Sequence, residues 1–375
     1  MHINRASLVV AVVALFGQLI CPTVQAAESI SVGRSLTLSG PLALYGESKR
    51  DGGDAYISKI NATGGVGGRR IELITLDDGY IPANMVVNLK KIAAENQPVA
   101  FLGLFGVPTV AAAIPVLKEL KIPAVGLTSG TDAVRSPFNR YVFPVRASYA
   151  DEARKLVSHA KTIGITRPSI VYMDTPFGIG IHTALVKSFA ENNLKPKEFK
   201  VDAKGDTNAE ISARVASDQP QTVFIAALNN VAGPLMLELR KAGFRGTFYT
   251  FSPVDNKVML KMMGTSVEGL GISQVFPVPK GSRLPVVAEY LDDMKKLGKG
   301  TPTYYGLEGY IEAKTLVEGL RRAGSKPTPE SLVRSLETMK DYDAGGFFIS
   351  YTPGAHKGSN FVEITVVNAD GEILR

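Results

Sequence analysis

The sequence predicts an α/β protein made of two doubly wound parallel-sheet lobes. Apolar runs of strand length alternate with segments of helical spacing, the pattern of βαβ units with right-handed crossovers. That alternation starts afresh after Tyr141-Val142-Phe143, so the chain carries two similar series rather than one long one. Loops rich in Gly, Pro, Ser and Thr follow the strands, at the edge where open α/β sheets bind ligands.

In the first series, Ser29 to Leu38 reads as a strand and ends in Ser39-Gly40-Pro41. Glu47 to Asn61 has helical spacing, with Ala55, Ile57 and Ile60 on its inward face, and Gly64-Gly65-Val66-Gly67-Gly68 stops it. Ile71 to Leu76 is the next strand, Pro82 to Glu95 a helix, Val99 to Leu104 a strand, Thr109 to Leu120 a helix and Ile122 to Leu127 a strand. The second series predicts helices over Asp151 to Thr162, Gly178 to Asn192, Asn208 to Ser217 and Ala232 to Ala242. Its strands are Ser169 to Met173, Phe199 to Val201, Thr222 to Leu228 and Thr247 to Phe251.

The first residues predict export. Arg5 precedes an apolar run that ends at Ile20, and Val24-Gln25-Ala26 supplies small residues at the cleavage positions. A signal peptide over 1–26, cut after Ala26, places the mature protein in the periplasm. Cys21 is the single cysteine of the sequence, so cleavage leaves no disulfide, no thiolate metal site and no thiol nucleophile. The net charge of +7 comes from scattered pairs such as Arg69-Arg70, Lys90-Lys91, Lys295-Lys296 and Arg321-Arg322. No long basic run interleaves with aromatics, which argues against nucleic acid as a partner.

Catalytic and cofactor patterns are absent. His159, His182 and His356 stand at no zinc-binding spacing, and neither a GxSxG elbow nor a GxxxxGK[ST] phosphate loop occurs. Gly178-Ile179-Gly180 lacks the third glycine of a dinucleotide loop and reads as a tight turn. The adjacent carboxylates Asp77-Asp78, on a strand end, point to opposite sides and read as helix entry or lobe packing. No enzyme activity, metal or cofactor is expected.

Three loops at strand ends remain. Ser39-Gly40-Pro41-Leu42-Ala43-Leu44-Tyr45-Gly46 follows the first strand, Gly106-Val107-Pro108-Thr109 follows the third and opens a helix, and Thr128-Ser129-Gly130-Thr131 follows the fourth. Free N–H groups at a helix start suit a carboxylate or another strong acceptor. Three such loops at one edge point to a ligand site.

These residues resemble a known family. Ser39-Gly40-Pro41 with Tyr45-Gly46, Ile60 to Arg69, Ile71-Glu72-Leu73 with Asp77-Asp78, Arg146 to Glu152, Leu239 to Gly243, Glu308-Gly309-Tyr310 and Gly345-Gly346-Phe347 are similar to the branched-chain amino-acid (leucine/isoleucine/valine) type of periplasmic solute-binding protein. The resemblance implies the type I periplasmic-binding fold with three crossovers. Lobe one would hold 27–147 plus 277–353, and lobe two 148–276 plus 354–375, with the ligand cleft between them. It implies a monomer that closes around a small polar ligand and delivers it to an ABC permease; docking on a membrane receptor as a sensor is the alternative. Tyr45 would close over the ligand, and Gly106, Val107, Pro108, Thr109, Thr128, Ser129 and Gly130 would hold its polar head. Tyr149, Phe177, Asn229 and Ser252 would face it from lobe two. The sequence departs from the family at two positions. Amino-acid binders carry a hydroxyl where Val107 stands and an ammonium-pairing acid where Ser252 stands, unless Asp255 takes that role. A carboxylate, amide or aromatic acid therefore fits as well as an amino acid.

Overall fold

The structure, a computed structural model, describes residues 28–374. The expected leader over 1–26, with Cys21, lies outside the described residues.

The first sheet is wholly parallel and has the order β2-β1-β3-β4-β5. Its strands are β1 (Ile30–Leu36), β2 (Ile71–Asp77), β3 (Ala100–Phe105), β4 (Ala124–Thr128) and β5 (Val142–Phe143). Helices α1 (Ala43–Ala62), α2 (Pro82–Asn96) and α3 (Val107–Leu120) connect them. Ala55, Ile57 and Ile60 are buried on α1, as the helical spacing predicts. The second sheet has β6 (Pro168–Met173), β7 (Lys197–Val201), β8 (Thr222–Ala226), β9 (Thr247–Thr250) and β10 (Gly271–Gln274) running parallel. Helices α4 (Tyr149–Thr162), α5 (Pro176–Glu191), α6 (Asn208–Ser217), α7 (Asn229–Lys241) and α8 (Asn256–Met263) cover it.

After β10 the chain returns to the first lobe and adds α9 (Pro285–Lys296), α10 (Tyr304–Ala323) and α11 (Pro329–Leu336). A small antiparallel sheet follows, of β11 (Tyr342–Asp343), β12 (Phe348–Thr352) and β13 (Ala355–Gly358). The last strands, β14 (Glu363–Val367) and β15 (Ile373–Leu374), extend the second sheet antiparallel at its edge. Two lobes, each with its own apolar core, thus share three connections. They fall at 144–148, 275–284 and 359–362.

The third connection lies later than the boundary expected at 353/354. Residues 355–358 pair with β12, and the His356 ring stacks on Phe143 with centroids 3.8 Å apart while its Nδ1 meets the Val142 carbonyl at 2.8 Å. Those contacts keep β13 with lobe one.

Several helices begin earlier than apolar spacing predicts: α1 at Ala43, α3 at Val107, α4 at Tyr149, α5 at Pro176 and α7 at Asn229. Apolar spacing records where a helix packs on its sheet. Their first turns project beyond that packing, toward the other lobe. Ser148 and Thr175 cap α4 and α5 by accepting the Asp151 and Gly178 amides, and proline stands in the first turn of α3 and α5.

Candidate ligand-binding site

The site lies where the two sheets' carboxyl edges face each other. Tyr45, Val107, Tyr149, Phe177 and Tyr305 come from the first turns of α1, α3, α4, α5 and α10, so five helix N-termini converge on one cleft. Each carries partial positive charge from its unpaired amides, which favours an anionic or acceptor group there.

The cleft is closed and tight. The Tyr45 hydroxyl of lobe one donates to Asn229 Oδ1 of lobe two at 3.3 Å, and the Tyr305 hydroxyl donates to the Pro253 carbonyl at 3.3 Å. Tyr45 and Tyr305 rings pack at 4.9 Å, Phe105 lies 5.7 Å from Tyr305, and Tyr149 meets Phe177 edge-on at 6.0 Å. What remains is a cavity of about 30 Å³. That holds about one water, well short of the several hundred Å³ of a small-molecule site. A ligand must part the lobes to enter.

Hydroxyl chemistry in the cleft is fixed by burial. It raises the Tyr45 and Tyr80 pKa values to about 12, and the Asp255 charge adds to the effect at Tyr45. The hydroxyls of Tyr149 and Tyr305 are pushed up further by the same cause. All four stay protonated through the physiological range. The backbone at Val107 and at Gly130 partly offsets that rise for Tyr80 and Tyr149 respectively.

Tyr80 is held there by the turn after β2. Asp78, fully buried, accepts from the Ser35 and Thr37 hydroxyls at 3.0 and 2.9 Å and from the Tyr80 amide at 2.9 Å. Burial raises its pKa despite those bonds. The turn puts Tyr80 at φ 65°, and its ring leans on Gly106, where a Cβ would stand 2.3 Å from the ring. The Asp77-Asp78 pair thus shapes the cleft wall without offering a free carboxylate to it.

Behind the cleft lies a buried ionic layer. Lys49 Nζ is 2.5 Å from Glu312, 3.5 Å from Glu308, and donates to Thr128 Oγ1 at 2.6 Å. Thr128 in turn donates to Glu308 at 2.9 Å. Arg146, in the first connection, stands 3.7 Å from Glu308 and donates from Nη2 to Ser252 Oγ at 2.5 Å. Glu152 of lobe two accepts from the Ser252 amide at 2.9 Å, its hydroxyl at 3.0 Å and Ser273 Oγ at 2.7 Å. Burial raises the Glu152 pKa; the Arg146 charge opposes it.

Of the residues expected at the site, Tyr45, Gly106, Val107, Thr128, Tyr149 and Phe177 line the cavity. The others are beside it or turned away. Thr109 Oγ1 bonds back to the Phe105 and Gly106 carbonyls, and Ser129 Oγ bonds Thr131 Oγ1 at 2.9 Å. Both hydroxyls are spent locally. Pro108 has no amide to offer, and the Gly130 carbonyl accepts the Tyr149 amide at 2.7 Å. Asn229 is tied to the Asp255 backbone at 2.9 and 3.1 Å, and Ser252 to Arg146 and Glu152. The Asp255 carboxylate caps α8 by accepting the Val258 amide at 2.9 Å, so a structural duty occupies the group expected to replace the missing acid.

Sequence reasoning missed Leu42, Tyr80, Phe105, Arg146, Leu228, Pro253 and Tyr305 on the cavity wall. Arg146 and Glu152 stand inside a segment that carries the family resemblance, and that was their available signal. Tyr305 had none, because no periodic pattern marks the start of α10.

Comparisons with known proteins agree with this geometry. Residues 29–372 match the family described as periplasmic binding protein. The leucine-, isoleucine-, valine-, threonine- and alanine-binding protein of Pseudomonas aeruginosa is 24% identical over 331 residues, 83% of each chain. A substrate-binding periplasmic protein from Ralstonia solanacearum superposes with a TM-score of 0.84 at 29% identity, over 92% of this chain and 99% of that one. A branched-chain amino acid ABC transporter protein from Thermus thermophilus with bound valine superposes at 0.82 and 18% identity, over 92% and 94%. These are solute-binding proteins rather than enzymes, and with the family match spanning nearly all of the described residues, this chain belongs to the periplasmic binding protein family.

Proposed function

We propose that this protein is the periplasmic solute-binding component of an ABC importer, and that its ligand is a small acid with an aromatic or apolar body and no α-ammonium group. Arg146 carries the reading. Arg146 lines the cleft and its guanidinium bonds Ser252, which the family resemblance aligns with the acid of amino-acid binders. A cation there repels an ammonium and attracts a carboxylate. Glu152 supplies a carboxylate one layer deeper, but Ser252, Ser273 and the Ser252 amide occupy it. Converging helix N-termini favour the same sign of charge, and Tyr45, Tyr80, Phe105, Tyr149, Phe177 and Tyr305 supply the walls for an aromatic or apolar body.

Native mass spectrometry of protein purified without refolding would identify a ligand carried from the cell. Calorimetry with phenylacetate, benzoate and leucine then tests the class. An aromatic acid should bind more tightly than leucine. Arg146→Lys should weaken the acid about tenfold or more, since a charge-assisted hydrogen bond contributes roughly 1.5–3 kcal/mol. Leucine binding at micromolar level or better, unaffected by that change, would refute the acid reading and leave the importer role standing. Solution scattering should show the radius of gyration falling on ligand binding, because bridging contacts complete only in the closed state.

A further inference from the structure

A cavity larger than the cleft lies elsewhere among the described residues. A groove of about 770 Å³ lies between the β11–β13 sheet of lobe one and the start of α4 in lobe two, over the first and third connections. Arg135, Lys340 and Lys357 line it. None of the three forms an ion pair among the described residues.

Two carboxylates share the groove with these three cations, and one of the two is paired with Arg154. Asp151 Oδ2 accepts the Ser148 amide at 3.0 Å and hydroxyl at 2.6 Å, and its Oδ1 pairs with Arg154 at 2.8 Å. Asp341 Oδ1 accepts the Ser350 hydroxyl at 2.7 Å. Arg135 is the odd member. Its Nη2 donates to the Arg146 carbonyl at 2.6 Å, while Nη1 is buried with no hydrogen-bond partner. Burial lowers the Arg135 pKa to about 10, and the guanidinium stays charged at neutral pH. A half-buried cation that forms no ion pair is costly to keep, and natural proteins pair such groups.

We infer that the groove is a second binding site, for a compact polyanion that seats between Lys340 and Lys357 with Arg135 as its counter-charge. Its volume is in the range of small-molecule sites, about 300–1,000 Å³. Exposed Phe348 offers an apolar wall beside the cations. Arg135 holds the backbone of the residue whose side chain lines the cleft, so an anion here acts on the connection about which the lobes part. This inference does not depend on the ligand class proposed for the cleft.

Polycarboxylates and phosphate esters share this chemistry, and two probes separate them. Citrate and inorganic pyrophosphate are titrated calorimetrically into the full mature protein, with sodium chloride of equal ionic strength as the control. One of them should bind at submillimolar level, the tighter naming the class. The Lys340→Glu/Lys357→Glu double variant, altered only at exposed positions, should lose at least tenfold in affinity while its melting temperature and its binding of the cleft ligand persist. Heats no larger than the salt control, or equal affinity in the double variant, would overturn the assignment.

Discussion

Glu312→Gln is expected to stabilise the protein at pH 8 and to leave it nearly unchanged at pH 5, an outcome opposite to that of breaking an ordinary ion pair. Glu312 lies in the buried layer with Lys49, Glu308, Thr128 and Arg146 around it. Burial pushes its pKa from 4.5 to about 8, with the Glu308 charge adding to the rise and Lys49 opposing it. The folded state therefore keeps a proton that the unfolded chain has released. Where the native state binds more protons, stability falls as pH rises, here from about pH 4.5 to about pH 8. Across that window the loss accumulates to the order of 4 kcal/mol, and glutamine, neutral in both states, escapes it. Asp78 and Glu152 are also raised by burial and contribute a slope of the same sign, which persists in the variant. Urea midpoints of both proteins at steps from about pH 5 to about pH 8 should diverge steadily. A variant less stable by a constant amount at every pH would mean that Glu312 is ionised and that its bond to Lys49 is a net attraction.

The second large effect separates two adjacent glycines. Helices α1 and α10 cross with backbones touching. A Cβ on Gly52 would stand 1.8 Å from the Gly306 carbonyl oxygen, and one on Gly309 would stand 2.1 Å from the Lys49 carbonyl oxygen. On Gly53 the nearest atom would be 3.5 Å away, an ordinary contact. Gly52→Ala should thus cost on the order of 3 kcal/mol, since only separation of the helices relieves a backbone clash. Gly53→Ala should gain about 0.5–1 kcal/mol, the usual benefit of alanine within a helix. Chemical denaturation of the two variants checks the sign of each. Separating α1 from α10 would also pull Tyr45 from Tyr305 and Lys49 from Glu308 and Glu312, so Gly52→Ala should weaken ligand binding as well. Equal stability of the two variants would show that the helices are free to slide.

Much of the fold was legible because its signals are local. Strands of the parallel sheets are buried on both faces and read as continuous apolar runs, as with Phe101, Leu102 and Leu104 on β3. The stretch after β10 was not legible in that way. Its helices pack on lobe one across a long gap in sequence, and β12 and β13 carry alternating exposure. The return of β13 to Phe143 is set by a ring stack between residues more than 200 positions apart, as is the bond from Tyr351 to Pro144, and no window of sequence contains either pair.

At the site, sequence determined which loops stand at the strand ends, and the resemblance aligned Val107 and Ser252 with a hydroxyl and an acid of amino-acid binders. It determined the family too, through motifs whose spacing survives divergence. Which polar atoms are free was decided only by tertiary structure. Thr109, Ser129 and Asp255 have groups suited to a ligand, yet each is consumed by a backbone or side-chain partner that folding brings within about 3 Å. Arg146 is the converse. Its segment carries the family resemblance, yet nothing local gives it a ligand-facing role; the fold does, by placing it between Glu308 of one lobe and Ser252 of the other, at the cleft wall. A hydrogen-bonding side chain's availability depends on what else lies within reach in three dimensions, and a charge's effect on how much water the fold leaves around it.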